Sequence, residues 1–557
     1  MGKLGLDIDK GLYLGIDFGT TNSVVSVYNY DDGQVHTIPI EGSFICPTAI
    51  AFDEDFDEDE KLEKIVGLQA KEGAVIYPES TILGVKRLII QDQSSPVIVE
   101  GKQFDFAPVH IAGEIINYLK NQADEYVREQ FGINGIFSGC VITVPANSVD
   151  KQKKRMKEAA GFAGFTEEQV HIRLEPAAAA IAYATTISSN KNVLVYDFGG
   201  GTFDACVLRI EAGSEEPSIS ILSTYGDNIL GGNDMDKIVM DMIYTEFCTL
   251  TNNEIDLYDF SKDDGLSKKH KMMARARLNQ VATAMKERLS SSKATKIVMA
   301  PFIQEPKIIN INMDITVDDF LNHKRQYALG DSMDVYEKMK DKSVLDLIQE
   351  TIQCTDVCLQ SGSLEKTDLD EIFLVGGSSS IPIISKMITE QYGLEPHQSK
   401  ISPALSISVG AAIYCHMIMQ PTSEGVSISE KTIHSVGLEM AGRRYLEIIP
   451  AGVDIMEEGL TVSLEEPLET NFDGLTSMVI VVYESMLKRD RHTITFVYDE
   501  GMKRLAGTSL EGIPSAPKGH EKVQITFHLS KDYILGVTAK SLSNEGVQTT
   551  LSVEALY

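Results

Sequence analysis

Apolar residues come in two textures along the chain. In the first, short buried-looking strands alternate with segments of helical period. Leu14-Gly-Ile-Asp-Phe-Gly-Thr-Thr-Asn-Ser-Val-Val-Ser-Val-Tyr28 reads as an apolar strand ending in Asp, a Gly/Thr turn, and a second apolar strand. Val193-Leu-Val-Tyr-Asp-Phe-Gly-Gly-Gly-Thr-Phe-Asp-Ala-Cys-Val-Leu208 repeats that plan. Two β-hairpins with glycine-rich tips predict a duplicated architecture. Val141–Val144 predicts a strand ended by Pro145, followed by a helix over Asp150–Ala163. Leu278, Val281, Met285 and Leu289 fall at helical spacing. A further strand-turn-helix unit covers Ile372–Pro382 and runs on towards Val409-Gly-Ala-Ala412. Strands alternating with helices predict an α/β fold.

The second texture begins near residue 421. Pro421–Glu430 is polar and linker-like. Beyond it Val523, Ile525, Phe527 and Leu529 alternate with Gln524, Thr526 and His528. Met478–Tyr483, Thr493–Val497 and Ile534–Ala539 read as further strands, and Gly512–Gly519 as a turn. This pattern predicts an all-β sandwich. The expected division is an α/β domain over 1–420, a linker over 421–436 and the sandwich over 437–557.

Composition narrows the function. A chain of 557 residues exceeds one core, so several domains are expected. The net charge of −31 excludes nucleic acid as main partner, because phosphate contacts need clustered Lys and Arg. Seven scattered cysteines predict free thiols in a reducing compartment, and Cys354 with Cys358 lacks the second pair that a metal site needs. No secretory leader and no apolar run of about 18 residues is seen, so a cytoplasmic protein without membrane attachment is expected. Asp53–Glu60 resembles a calcium loop, but Glu58 stands at the required Gly and Lys64 at the bidentate Glu, so a solvated acidic loop is expected. Lys268, Lys269 and Lys271 read as the exposed start of a helix.

The chemistry lies in the two hairpin tips. Backbone N–H groups approach phosphate oxygens closely where no Cβ intervenes, which suits Gly19, Gly199, Gly200 and Gly201, while Thr20, Thr21 and Thr202 add hydroxyls. Asp17, Asp197 and Asp204 would repel a polyphosphate unless a divalent cation stood between them, and Mg2+ bound largely through its waters fits. No Walker A and no G-x-G-x-x-G motif is present, so neither P-loop nor Rossmann chemistry is indicated.

With these motifs in place the sequence resembles the 70-kDa heat-shock chaperone family over nearly its whole length. The resemblance is carried by GIDFGTTNS at 15–23, GVKRLI at 84–89, VITVPAN at 141–147, LEPAAAAIAYA at 174–184, VYDFGGGTFD at 195–204, GDNILGGNDMD at 226–236, LVGGSSSIP at 374–382 and LEGIPSAPKG at 510–519. It implies a two-lobed, actin-like ATPase domain followed by a peptide-binding β-sandwich. By resemblance, Lys86 holds the γ-phosphate and the attacking water, Asp17 and Asp197 belong to the magnesium shell, Asp204 orients water, and Glu175 links the metal's waters to Pro145. Thr202 joins the catalytic set; Asn22, Gly231, Gly232, Lys286, Ser290, Gly376, Gly377 and Ser378 join the ATP/ADP contacts. Leu438, Ala441, Leu468, Met478 and Ile480 fall where the family binds extended apolar peptides. The implied partners are unfolded peptide segments, a J-domain co-chaperone and a nucleotide exchange factor, with a monomer as the working form.

The departures from the family pattern carry their own expectations. Two basic side chains on adenine and a Glu on ribose are replaced by Glu287, Ser380 and Thr283, which weakens the base clamp. Lys153 replaces an arginine near Pro145 and loses planar bidentate geometry. The linker keeps only Val426 and Ile428 for docking by burial, so looser coupling is expected. No counterpart of the family's helical lid follows the sandwich, so fast peptide release is expected. The alternative function is a nucleotide-sensing protein-docking module with negligible hydrolysis.

Overall fold

The computed structural model describes residues 11–56, 62–89, 94–99, 101–132, 137–146, 148, 150–184, 189–211, 218–397, 399–419, 427–429, 432, 434–455, 459–485, 494–499, 501–530 and 534–552. Glu58, Glu60, Asn147, Pro421, Val426, Glu430 and Thr493, all named above, lie outside them.

Both sequence hairpins form. Leu12–Phe18 pairs antiparallel with Asn22–Asn29, and Lys191–Phe198 with Phe203–Glu211. Each hairpin sits in its own sheet. The first sheet runs Val170–Leu174, Phe137–Val144, Leu12–Phe18, Asn22–Asn29, Gln34–Thr37, with Cys46–Pro47 also on Asn22–Asn29. The second runs Glu371–Val375, Lys191–Phe198, Phe203–Glu211, Ser218–Asp227, Ser427–Ser429. In both, parallel strands lie beside an antiparallel meander, which is the duplication read from the tips.

The second sheet is buried on both faces, as unbroken apolar strands require. Val193 and Val195 join the core of the first sheet. Leu194, Tyr196 and Phe198 join a separate core built with the helices Gly232–Leu250 and Lys268–Leu289. Helices Glu175–Ala184 and Ser406–Met419 cross so closely that a Cβ on Gly410 would lie 1.7 Å from the Ala178 carbonyl oxygen. Only glycine fits there, which explains a small-residue helix in each partner.

Towards the C-terminus a sheet of Arg444–Ile449, Ser435–Met440, Ser477–Ser485 and Met502–Glu511 faces one made of Leu460–Ser463, Lys522–Leu529, Leu535–Ser541 and Gln548–Ser552, with Leu468–Glu469 on Lys522–Leu529. Alternate residues of both sheets, among them Val436, Ile480, Val482, Val523, Ile525 and Phe527, share one core.

Two expectations are corrected. Among the described residues 494–497 no strand forms and Phe496 bridges to Arg444, because the Asp499 carboxylate accepts the Phe496 N–H at 2.8 Å and turns the chain. Lys271 is buried rather than exposed: it donates to the Asp259 and Lys262 carbonyls and meets the Asp264 carboxylate at 2.8 Å. Lys268 does begin its helix, with the Ser267 hydroxyl accepting the His270 N–H as an N-cap.

Candidate functional site

The two hairpin tips meet. A Cβ on Gly200 would lie 2.4 Å from the Thr21 hydroxyl, and one on Gly201 within 2.8–2.9 Å of Thr20. Backbone of one tip therefore packs directly on threonine side chains of the other. The Thr21 hydroxyl also donates to Asn233 at 3.1 Å. Around this junction opens a cleft of about 410 Å³, lined by residues of both sheets and of the helices behind them.

The surrounding elements lock onto the second tip. The Gly232 and Asn233 N–H groups donate to the Gly199 and Gly200 carbonyls at 3.0 and 2.8 Å, which sets the start of Gly232–Leu250. The Gly231 N–H is held by Asp234 at 2.9 Å. Ser378 donates its hydroxyl to the Gly199 carbonyl at 2.9 Å. Gly376 turns the chain after Glu371–Val375, its N–H on the Pro403 carbonyl at 3.3 Å. Lys286 pairs with Asp236 at 2.8 Å and donates to the Gly232 carbonyl at 3.0 Å; Ser290 donates to the Lys286 carbonyl.

Most of the predicted set is brought together. Asp17, Gly19, Thr20, Thr21, Asn22, Lys86, Glu175, Asp197, Gly199, Gly200, Gly201, Thr202, Lys286, Ser290, Gly376, Gly377 and Ser378 line the cleft, as do Thr283, Glu287 and Ser380. Asp204, Gly231 and Gly232 stand behind that wall: Asp204 is buried opposite Asp197 in the hairpin ladder. Arg87 was missed, although it lies inside a motif that drew attention to its neighbour. Its guanidinium donates to the Gly201 carbonyl at 2.8 Å and so ties the helix Val85–Leu88 to the second tip.

Electrostatics set the character of the cleft. Lys86 donates to Glu175 at 2.5 Å with both side chains nearly out of water. Burial works to lower the Lys86 pKa, but the charges of Glu175 and Asp17 outweigh it and hold the ammonium above its ordinary value. Asp17 is pushed up to about 7 by burial and by Glu175, against the opposing pull of Lys86 and Thr143. Burial, then Glu175, Asp204 and Asp17, push Asp197 well above the carboxylate range. One oxygen of Asp197 is buried without a hydrogen-bond partner. Lys86 supplies a single positive charge to four crowded carboxylates, Asp17, Glu175, Asp197 and Asp204, and a divalent cation fits the remaining need. Among the described residues no three His, Cys, Asp or Glu side chains converge to grip an ion directly. Binding through ordered water suits Mg2+ on that donor set.

The predicted peptide-contact residues do not form one open surface. Leu438 and Ile480 are only 2% and 3% exposed, inside the core between the C-terminal sheets, because their strand positions point inward. Leu468 and Met478 are half-buried at its margin, and Ala441 is exposed in a turn. Among the described residues no helix is long and apolar enough to cross a membrane.

Comparison with known proteins agrees with this geometry. A family model described as Hsp70 protein matches residues 13–556. The chaperone protein DnaK of Thermotoga petrophila is 31% identical over 545 residues, covering 96% of this chain and 79% of that protein. The chain belongs to the Hsp70 family.

Proposed function

We propose that this protein is an ATP-dependent chaperone of the 70-kDa heat-shock type. On this reading residues 1–420 are a two-lobed, actin-like, slow ATPase, 421–436 a linker, and 437–557 a β-sandwich that takes extended apolar peptide. The observation that carries it is the meeting of the Thr20–Thr21 and Gly200–Gly201 tips over a cleft containing Lys86.

The triphosphate lies between the tips, where backbone N–H groups and the hydroxyls of Thr20, Thr21 and Thr202 meet its oxygens. Asp17 and Asp197 hold the water shell of Mg2+, which neutralises charge on the phosphates when bound. Lys86 turns from Glu175 to the γ-phosphate and offsets negative charge there as it departs. Asp204, opposite Asp197 in the ladder, adds its negative charge to the same centre and is the carboxylate that orients water. Lys286 and Ser290, on the far wall, face the nucleoside. Hydrolysis changes how the two lobes close, and the linker passes this to the sandwich. A J-domain co-chaperone and a nucleotide exchange factor are the partners expected for such a cycle.

Single-turnover ATP hydrolysis by Lys86→Ala tests the chemistry. The rate is expected to fall on the order of 10²-fold. Unchanged turnover would remove Lys86 from the mechanism. A fluorescent apolar peptide titrated with ATP and then ADP tests the chaperone half, which requires tighter binding in ADP.

A further inference from the structure

A second cavity, of about 510 Å³, lies outside the nucleotide cleft. Lys237, Lys268 and Arg275 line it, and no Asp or Glu does. Acidic residues outnumber basic ones 81 to 50 in this chain, so a wall with three cations and no carboxylate runs against its composition.

Two of those cations are not neutralised by a carboxylate. Lys237 pairs with Asp331, which also takes Arg325 at 2.7 Å. Lys271, on the same helix as Lys268 and Arg275, is neutralised by Asp264. Among the described residues neither Lys268 nor Arg275 has a carboxylate partner. Arg275 lies 4.6 Å from the Tyr258 ring centre and 5.3 Å from that of Phe260; Lys268 lies 5.8 Å from Phe260. Contact with two rings holds the guanidinium in place, and its five N–H donors exceed what one tyrosine hydroxyl can use, which leaves donors for an anion. Apart from Asn279, the rest of the wall is mainly apolar or aromatic, with Met240, Met272 and Leu329. That wall would be left uncovered by a bare inorganic ion.

The cavity is joined to the nucleotide cleft by one helix. Positions 268, 272, 275, 276 and 279 line the cavity, and 283, 286, 287 and 290 line the cleft. Each position has another of the set three or four residues away, so they form a single stripe along Lys268–Leu289 and its C-cap Ser290. At 1.5 Å per residue the two sites lie roughly 20 Å apart on a rigid rod. Pro78, in the turn before Thr81–Leu83, completes the cavity from the other side; that strand belongs to the first sheet's core through Ile82. An occupant would therefore touch both units that enclose the cleft.

We propose that this cavity binds a small organic anion, a phosphate or carboxylate on an apolar body, and that its occupancy is coupled to nucleotide binding through Lys268–Leu289. The binding half stands without the nucleotide reading; the coupling half rests on it.

Calorimetric titration of the full chain with phenyl phosphate tests this, with inorganic phosphate and phenol as separate arms. Saturable 1:1 uptake of phenyl phosphate is expected, tighter than either fragment, and at least tenfold weaker in Lys268→Gln/Arg275→Gln. Equal uptake by that variant, or none by the parent, overturns the site. If the double variant fails to fold, Lys268→Glu at the exposed helix start carries the same comparison. Saturating ADP is expected to shift the phenyl phosphate affinity, and the anion to shift ADP affinity by the same factor. Phenyl phosphate uptake indifferent to bound ADP overturns the coupling. Failure of ADP itself to bind overturns the proposed function and with it the coupling, while the uptake by parent and double variant still decides the site. An acidic peptide binding more tightly through the same two residues would reassign the cavity to a protein partner.

Discussion

At the tip junction a single methyl group matters. The Cβ of Gly200→Ala would press on Thr21, a β-branched side chain with little rotamer freedom, so the tips must part by some tenths of an ångström. Overpacking of this kind costs about 1–3 kcal/mol, and every 1.4 kcal/mol of it that falls on the bound state is tenfold in affinity. Gly200→Ala is expected to weaken fluorescent-ADP binding about tenfold with a small change in melting temperature. A second residue-scale effect is set by pH. Burial pushes the Glu484 carboxyl up, but His434, at 2.9 Å, and the charges of Lys503 and Lys153 overcome it and hold the pKa at about 2. A depressed folded-state pKa stabilises above the unfolded value, here 4.5, and that stability is lost as pH falls towards 2. Urea unfolding followed between pH 5 and 2 is expected to show this loss, and Glu484→Gln to flatten it. Lys153 drew notice in the sequence as an exchange for arginine, but its acidic neighbour, 331 positions further on, had no local signal.

Elements were legible where one period governed them. The hairpins, the helix from Asp150 and the strands Lys522–Leu529 and Leu535–Ser541 follow from alternation, because each has one face in a core. Thr493–Val497 has strand composition too, yet an aspartate just beyond it captures the backbone. Lys271 carried the opposite message from its burial, since three lysines in four positions look solvated until the partner Asp264 is placed. The small-residue run at 174–184 was recognised only as a motif; its physical reason is the crossing at Gly410. Replacing Gly410 by Ala puts a carbon 1.7 Å from a carbonyl oxygen in a helix that cannot yield. Destabilisation of several kcal/mol is expected, above the usual 0.5–3 for point changes, measurable by thermal unfolding.

For the whole molecule the decisive joint is the strand Ser427–Ser429, paired in parallel with Ser218–Ser220. Docking had been expected to depend on buried linker side chains, and therefore to be loose. A ladder of main-chain hydrogen bonds does not require leucine, so serine at these positions leaves that part of the attachment intact. Ile428→Pro removes a donor and fixes φ. It is expected to abolish amide protection across 427–429 and to make peptide affinity indifferent to nucleotide; protection equal to the parent would show that the joint lies elsewhere. The same pairing has a consequence for behaviour in concentrated solution. When that segment lifts away, the backbone donors and acceptors of Ser218–Ser220 lose their cover and offer a template to any extended chain nearby. Ser427–Ser429 covers that edge, and conditions that release it are expected to favour sticking between copies at high concentration.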